Sequence, residues 1–210
     1  MYNNIGIVYK QMSNYANSLK YFEKSLLIKE EIEDKSTTAY TLTNIGAVYA
    51  EMKDNVKAVT YFTKSLQVDE EFRNTLGMAK NLSNLSSCYL AADDFHTALH
   101  FCQQALVQNK EADYLKGQAE NLYNIGDIYR KIGEFEEAIK HYNMAKQIDI
   151  QIGCKDGLAY DLISIAEVNM NDNYVHSNLD FALESIQCAK TILEEIGMTS
   201  ALVDVYKNFQ

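Results

Sequence analysis

"TLTNIGAVYA", residues 41–50, recurs in altered form along the chain, as "MYNNIGIVYK" at 1–10, "NLSNLSSCYL" at 81–90 and "NLYNIGDIYR" at 121–130. The step is 40 residues, and it aligns Asn4, Asn44, Asn84 and Asn124. It also aligns Gly6, Gly46, Ser86 and Gly126, then Tyr9, Tyr49, Tyr89 and Tyr129. A second series runs Phe22, Phe62, Cys102 and Tyr142, preceded four residues earlier by Ser18, Ala58, Ala98 and Ala138. A third, Gly77, Gly117 and Gly157, falls where each new unit begins. A fixed period of this size is the mark of a repeat architecture, in which each unit buries its apolar face against the next.

Inside a unit the spacing is helical. Leu42, Ile45 and Tyr49 follow the i, i+3, i+7 pattern, as do Leu122, Ile125 and Tyr129. Ala58, Phe62, Ser65 and Leu66 make a second stripe, and "KDN", "ADD" and "GEF" supply polar turns between the two. Each unit therefore reads as two antiparallel helices. Gly46 or Gly126 lets the second helix approach closely, with Ala58 or Ala138 as the facing small surface, and a bulky side chain at either place would hold the helices apart.

Composition agrees. The 210 residues are 47% hydrophobic and 23% charged, enough to bury a core. Proline and tryptophan are absent, which suits a mostly helical chain. The net charge of −10, from 19 basic and 29 acidic residues without a basic run, argues against nucleic acid. It leaves a basic or mixed-charge partner as the complement. Cys88, Cys102, Cys154 and Cys188 are far apart, each in or beside an apolar helical pattern, and read as reduced thiols, which favours the cytoplasm. No apolar stretch reaches the roughly 18 residues that cross a bilayer, so no membrane partner is expected. No signal peptide is visible, and Met1 sits inside a repeat element.

The pattern resembles the tetratricopeptide repeat, with Leu42, Ile45, Gly46 and Tyr49 followed by Ala58 and Phe62, and Leu122, Ile125, Gly126 and Tyr129 followed by Ala138 and Tyr142. The family's tryptophan is replaced by Tyr2, Leu42, Leu82, Leu122 and Leu162, and its closing proline is missing. Without that stop the second helix is expected to run about six residues beyond the family's unit of about 34. The resemblance implies an all-α fold, an α-solenoid forming a right-handed superhelix of stacked antiparallel helix pairs. The expected division is 1–36, 37–76, 77–116, 117–156 and 157–198, with a sixth unit starting at 199–210. The fifth departs from the rest: Ala182 follows Ala138 by 44 residues, so a loop insertion is expected near 171–178. It also carries Ala166 and Asn169 for glycine and tyrosine. Repeats cut at both ends imply a fragment of a longer array and open the possibility of self-association through the exposed ends.

A core role explains Ile45, Gly46 and Tyr49 but not Asn44, which lies about 100° from Ile45 around the helix. If the first helices line a concave wall, Asn4, Asn44, Asn84 and Asn124 form a column. An amide side chain binds both N–H and C=O of an extended backbone. Resemblance to kinesin light chains and to adaptors that orient mitotic spindles implies peptide contact for Asn44, Asn84 and Asn124, and for Asn4 and Asn208 more distantly. Ser164 interrupts the series. The structural alternative is that these amides bond the neighbouring repeat. Selectivity is expected from Tyr40, Glu51, Lys80, Glu120, Tyr123, Asp127, Arg130, Tyr160 and Glu167, concentrated in the fourth and fifth units.

Catalytic signals are missing. His96 and His100 have the spacing of a zinc pair but no glutamate after His96 and no third ligand, and no phosphate-cradling loop or nucleophile motif occurs. No metal or cofactor is expected. Two functions remain: a module holding a peptide or protein segment in its groove, or a regulatory sensor region of a larger bacterial signalling protein. An enzyme like the bacterial aspartate phosphatases with such repeats would need a separate N-terminal helical bundle, which the sequence does not show.

Overall fold

The computed structural model describes residues 1–32, 34 and 37–198, which form ten α-helices and, among the described residues, no strand. They run α1 (Tyr2–Gln11), α2 (Tyr15–Glu31), α3 (Thr38–Glu51), α4 (Asn55–Glu71), α5 (Thr75–Leu90), α6 (Phe95–Glu111), α7 (Leu115–Ile132), α8 (Phe135–Ile152), α9 (Lys155–Asn169) and α10 (Leu179–Glu195). The expected sixth unit, with Asn208, lies outside the described residues. The chain divides into two compact units, Met1–Ala112 with three hairpins and Asp113–Gln210 with two described hairpins. Among the described residues no helix is long and apolar enough to cross a membrane.

The turns show how the chain reverses without proline. A residue with positive φ stands at Ser13 and then every 20 positions from Lys53 through Arg73, Asp93, Asp113 and Gly133 to Gly153. A left-handed residue after the last helical turn folds the backbone away from the axis. The next helix is then capped at once. The side chains of Asp54, Asn74 and Asp94 accept from the backbone N–H of Lys57, Gly77 and Thr97.

Packing refines the expectation for the repeated glycine. The space beside it is filled chiefly by an aromatic ring rather than by Ala58 alone. A Cβ on Gly6, Gly46 or Gly126 would come within 2.6 Å of Phe22, 2.7 Å of Phe62 or 2.8 Å of Tyr142. In the third hairpin both members change together, Ser86 standing where the others have glycine and Cys102 where they have a ring. The Ser86 hydroxyl donates to the Ala98 carbonyl at 2.8 Å. Within unit 1, Phe22, Ile45 and Val48 form one apolar cluster, and Ala58, Phe62, Leu85 and Cys88 another. In unit 2, Ala138, Tyr142, Ile165 and Val168 join α8 to α9, and Ala159, Ala189 and Leu193 join α9 to α10. Burying such side chains contributes about 1.5–3 kcal/mol each relative to exposure, so consecutive hairpins hold one another within each unit.

Candidate functional site

In unit 1 the expected contact residues are dispersed. Asn4 is exposed and Asn84 half-buried. Asn44 is only 9% exposed, and its amide donates to the Asn3 side chain 3.3 Å away on α1, so the inter-repeat alternative describes its bonding. The Lys80 ammonium lies 5.8 Å from the centre of the exposed Tyr40 ring. Glu51 is paired with Lys10 at 3.1 Å.

In unit 2 three of the expected residues join in one ion-pair cluster. Arg130 donates to Asp127 at 2.7 Å and to the Tyr142 hydroxyl at 3.3 Å, and it approaches Glu167 on α9 to 3.6 Å. Burial works against the guanidinium charge, but the Asp127 hydrogen bond and charge raise its pKa above the ordinary value. Burial raises Glu167 and Tyr142, with Arg130 opposing in both cases. These groups tie α7 to α8 and α9.

The other four expected residues converge. Glu120, Tyr123 and Asn124 on α7 and Tyr160 on α9 line one cavity of about 470 Å³. Its size is that of a small-ligand site. Tyr123, half-buried, also accepts a hydrogen bond from Ser164 at 3.1 Å, so the serine that interrupts the asparagine series braces the wall. The cavity wall is completed by Lys116, Ala119, Asp149, Cys154, Asp156, Gly157 and Asp161. Of its carboxylates, sequence reasoning named Glu120 and missed Asp149, Asp156 and Asp161.

Asp149, from α8, is 5% exposed and Asp161, from α9, 1%. Asp149 can reach α9 because Gly157 leaves room: a Cβ there would sit 2.0 Å from its Oδ2. Both Asp161 oxygens are buried without an N–H or hydroxyl donor, and their carboxyl group meets that of Asp149. Burial pushes the Asp161 carboxyl up from 3.8 to about 8, with the Asp149 charge adding and Lys146 opposing. Burial also raises Asp149, against a hydrogen bond from Cys154. Asp156 is held low, first by the Cys154 thiol, which donates to it at 3.2 Å. One proton retained between Asp149 and Asp161 is the expected resting state.

The signal for this site was a polar residue at one buried register position, Thr41, Asn81, Asn121 and Asp161, in the same step of 40. At Asn81 the arrangement is complete. Its amide donates to Asp69 at 2.8 Å and to Ser65 at 2.9 Å, and its oxygen accepts from Thr43 at 3.0 Å. Asn74 donates to the other Asp69 oxygen at 2.7 Å.

Elsewhere, His96 and His100 are exposed on α6, with His100 3.2 Å from Gln104. Among the described residues no group of three or more His, Cys, Asp or Glu side chains is arranged to hold a metal ion.

The family model described as "tetratricopeptide repeat" matches residues 1–71 and 77–151. No curated protein matches the chain. Among solved structures, the apo form of RapI is similar with a TM-score of 0.86 at 17% identity, over 97% of this chain and 73% of that one. A Rap protein complexed with Competence and Sporulation Factor has a TM-score of 0.80 at 16% identity, over 97% of this chain and 56% of that one. A signal transduction ATPase with a tetratricopeptide repeat sensor from Pyrococcus horikoshii has a TM-score of 0.82 at 18% identity, over 97% of this chain and 31% of that one.

Proposed function

This chain belongs to the tetratricopeptide repeat family, and we propose that it is a protein-interaction module that holds a peptide or protein segment against the first helices of its hairpins, chiefly α7 and α9. The observation that supports this is the convergence of Glu120, Tyr123, Asn124 and Tyr160 on one cavity. They supply an aromatic edge, an amide and a carboxylate in a single concavity, the mixture that fixes a ligand's orientation. The Rap protein complexed with Competence and Sporulation Factor is a similar fold occupied by a partner. We keep the division into hairpin repeats as part of this reading, with Asn84 and Asn124 as contacts and Asn44 as the link to Asn3. No catalytic step is assigned.

A peptide-array screen tests it. The Glu120→Ala/Asn124→Ala/Tyr160→Ala variant should keep its helicity by circular dichroism and lose array binding at least about tenfold, since interface energy concentrates in a few residues. A His100→Ala/Gln104→Ala variant on α6 should bind like the unaltered protein. Equal binding by all three would overturn the proposal.

The Pyrococcus horikoshii neighbour, in which such repeats form a sensor, favours a second reading, regulation of an attached output domain. An output domain in the same reading frame, with activity that changes when the groove is filled, would establish it.

A further inference from the structure

Building on the groove reading, we propose that the unit 2 cavity is a receptor for one cationic side chain of the bound segment, guanidinium or ammonium, with Asp161 and Asp149 as its counter-charge. Four carboxyl groups line the cavity, Glu120, Asp149, Asp156 and Asp161, against the single ammonium of Lys116. Acidity alone is common on protein surfaces. What sets this site apart is Asp161, 1% exposed, with no N–H or hydroxyl donor to either oxygen and the Asp149 carboxyl group against it, on the wall of an open cavity.

A buried carboxylate without donors is costly and is met in one of two ways, by a proton or by a cation. At the equivalent place in unit 1, Thr43, Ser65, Asn74 and Asn81 satisfy Asp69 and one another. Forty residues twice over, the chain places Tyr123, Ala145, Cys154 and Asp161 there, and keeps Asp149 and Gly157 where unit 1 has Asp69 and Gly77. The amide donors are gone and a second acceptor-only group has replaced one of them. A guanidinium supplies five N–H donors and an ammonium three, and Tyr123 and Tyr160, aromatic residues of the kind cations favour, line the same cavity.

The exchange has a proton balance. With the cavity empty, the Asp149–Asp161 pair retains one proton. An entering cation takes its place and the proton leaves to solvent. The groups facing Asp161 are Asp149 and Lys146 on α8, Lys116, Glu120 and Tyr123 on α7, and Cys154, Asp156 and Tyr160 beside it. On α10, which packs Ala189 and Leu193 against α9, Glu195 is paired with Lys155 and Glu194 with Lys190. Binding should therefore tighten as pH rises towards about 8, the value to which Asp161 is pushed.

The experiment titrates the full chain with capped tripeptides, acetyl-Gly-Xaa-Gly-amide with arginine, lysine or neutral citrulline, followed by NMR at pH 6, 7 and 8. The preferred cationic peptide should bind at least about tenfold more tightly than the citrulline one. Its affinity should rise about tenfold from pH 6 to pH 7. Arginine above lysine identifies a guanidinium site, and the reverse an ammonium site. The Asp161→Asn variant, which reproduces the unit 1 pairing and so should stay folded by circular dichroism, should lose both the binding and its pH dependence. Citrulline binding as well as arginine, a flat profile from pH 6 to 8, or unaltered binding by Asp161→Asn would overturn the proposal. Tighter binding of free agmatine than of the arginine tripeptide would overturn its assignment to a peptide side chain. Array-selected peptides without a cation, binding through Glu120, Asn124 and Tyr160, would remove the receptor and leave the groove standing.

Discussion

The same backbone station in the two units carries opposite chemistry. Around Asp69 every neighbour was chosen to donate: Asn74 and Asn81 bond the carboxylate directly, and Thr43 and Ser65 complete the bonding of Asn81. Burial still raises the Asp69 pKa, with both asparagines opposing. Around Asp149 the amide donors have been withdrawn, with the Cys154 thiol in the place of Asn74, and Asp161 adds a second acid that no N–H or hydroxyl donor reaches. In unit 1 the station fastens α4 to α5, whereas in unit 2 it faces a cavity. A repeat thus exchanges a structural knot for a cavity wall through a handful of side chains.

Transferring the acid is the most severe challenge to that contrast. Asn81→Asp would put two carboxylates together in unit 1 and strand the Ser65 and Thr43 hydroxyls. It should cost about 3 kcal/mol at pH 8 and far less at pH 4, read by urea unfolding. Gly157→Ala comes next. Its methyl would strike the Asp149 carboxylate, 2.0 Å from the new carbon, and should cost about 2 kcal/mol while opening the Asp149–Asp161 contact.

The reverse transfer, Asp161→Asn, should stabilise unit 2 by about 1–2 kcal/mol at pH 8. The sign follows from the direction of the shift. A carboxyl raised from 3.8 to about 8 holds its proton more tightly when folded, so its favourable contribution is complete below pH 3.8 and is lost as pH climbs to about 8. The variant should flatten this slope, and the two proteins should converge near pH 4. A smaller effect separates the turns. Unit 1 uses Ser13, Lys53, Arg73 and Asp93 at positive φ, whereas unit 2, after Asp113 at its start, has Gly133, Gly153 and Gly197. Arg73→Gly should gain about 0.5–1 kcal/mol in thermal unfolding, and Gly153→Ala should lose about 1.

The helices were legible because apolar spacing and the step of 40 are local and redundant: losing Gly46 at Ser86 or Tyr129 at Asn169 does not obscure them. Glu120, Tyr123, Asn124 and Tyr160 are legible as candidates, and share one cavity, because they lie on one side of the first helices. Asp149 and Asp161 are not, because the spacing places them on faces that read as core, and a carboxylate's partners come from other helices. For Asn44 the sequence leaves peptide contact and a bond to the neighbouring repeat both open for the same reason, since Asn3 lies 41 residues away. The ring over Gly46 was masked too, because Phe62 already had an explanation as core.

The compensation between glycine and ring governs how the array can be recombined. Gly46 and Phe62 belong to one hairpin, as do Gly126 and Tyr142, and as do Ser86 and Cys102 in the third. Whole hairpins therefore carry both halves of their steric match and can be shuffled as cassettes. A crossover inside a hairpin would bring Ser86 against an incoming phenylalanine or leave a glycine facing a thiol too small to fill the gap. Lineages that diversify such arrays should break between hairpins far more often than within them.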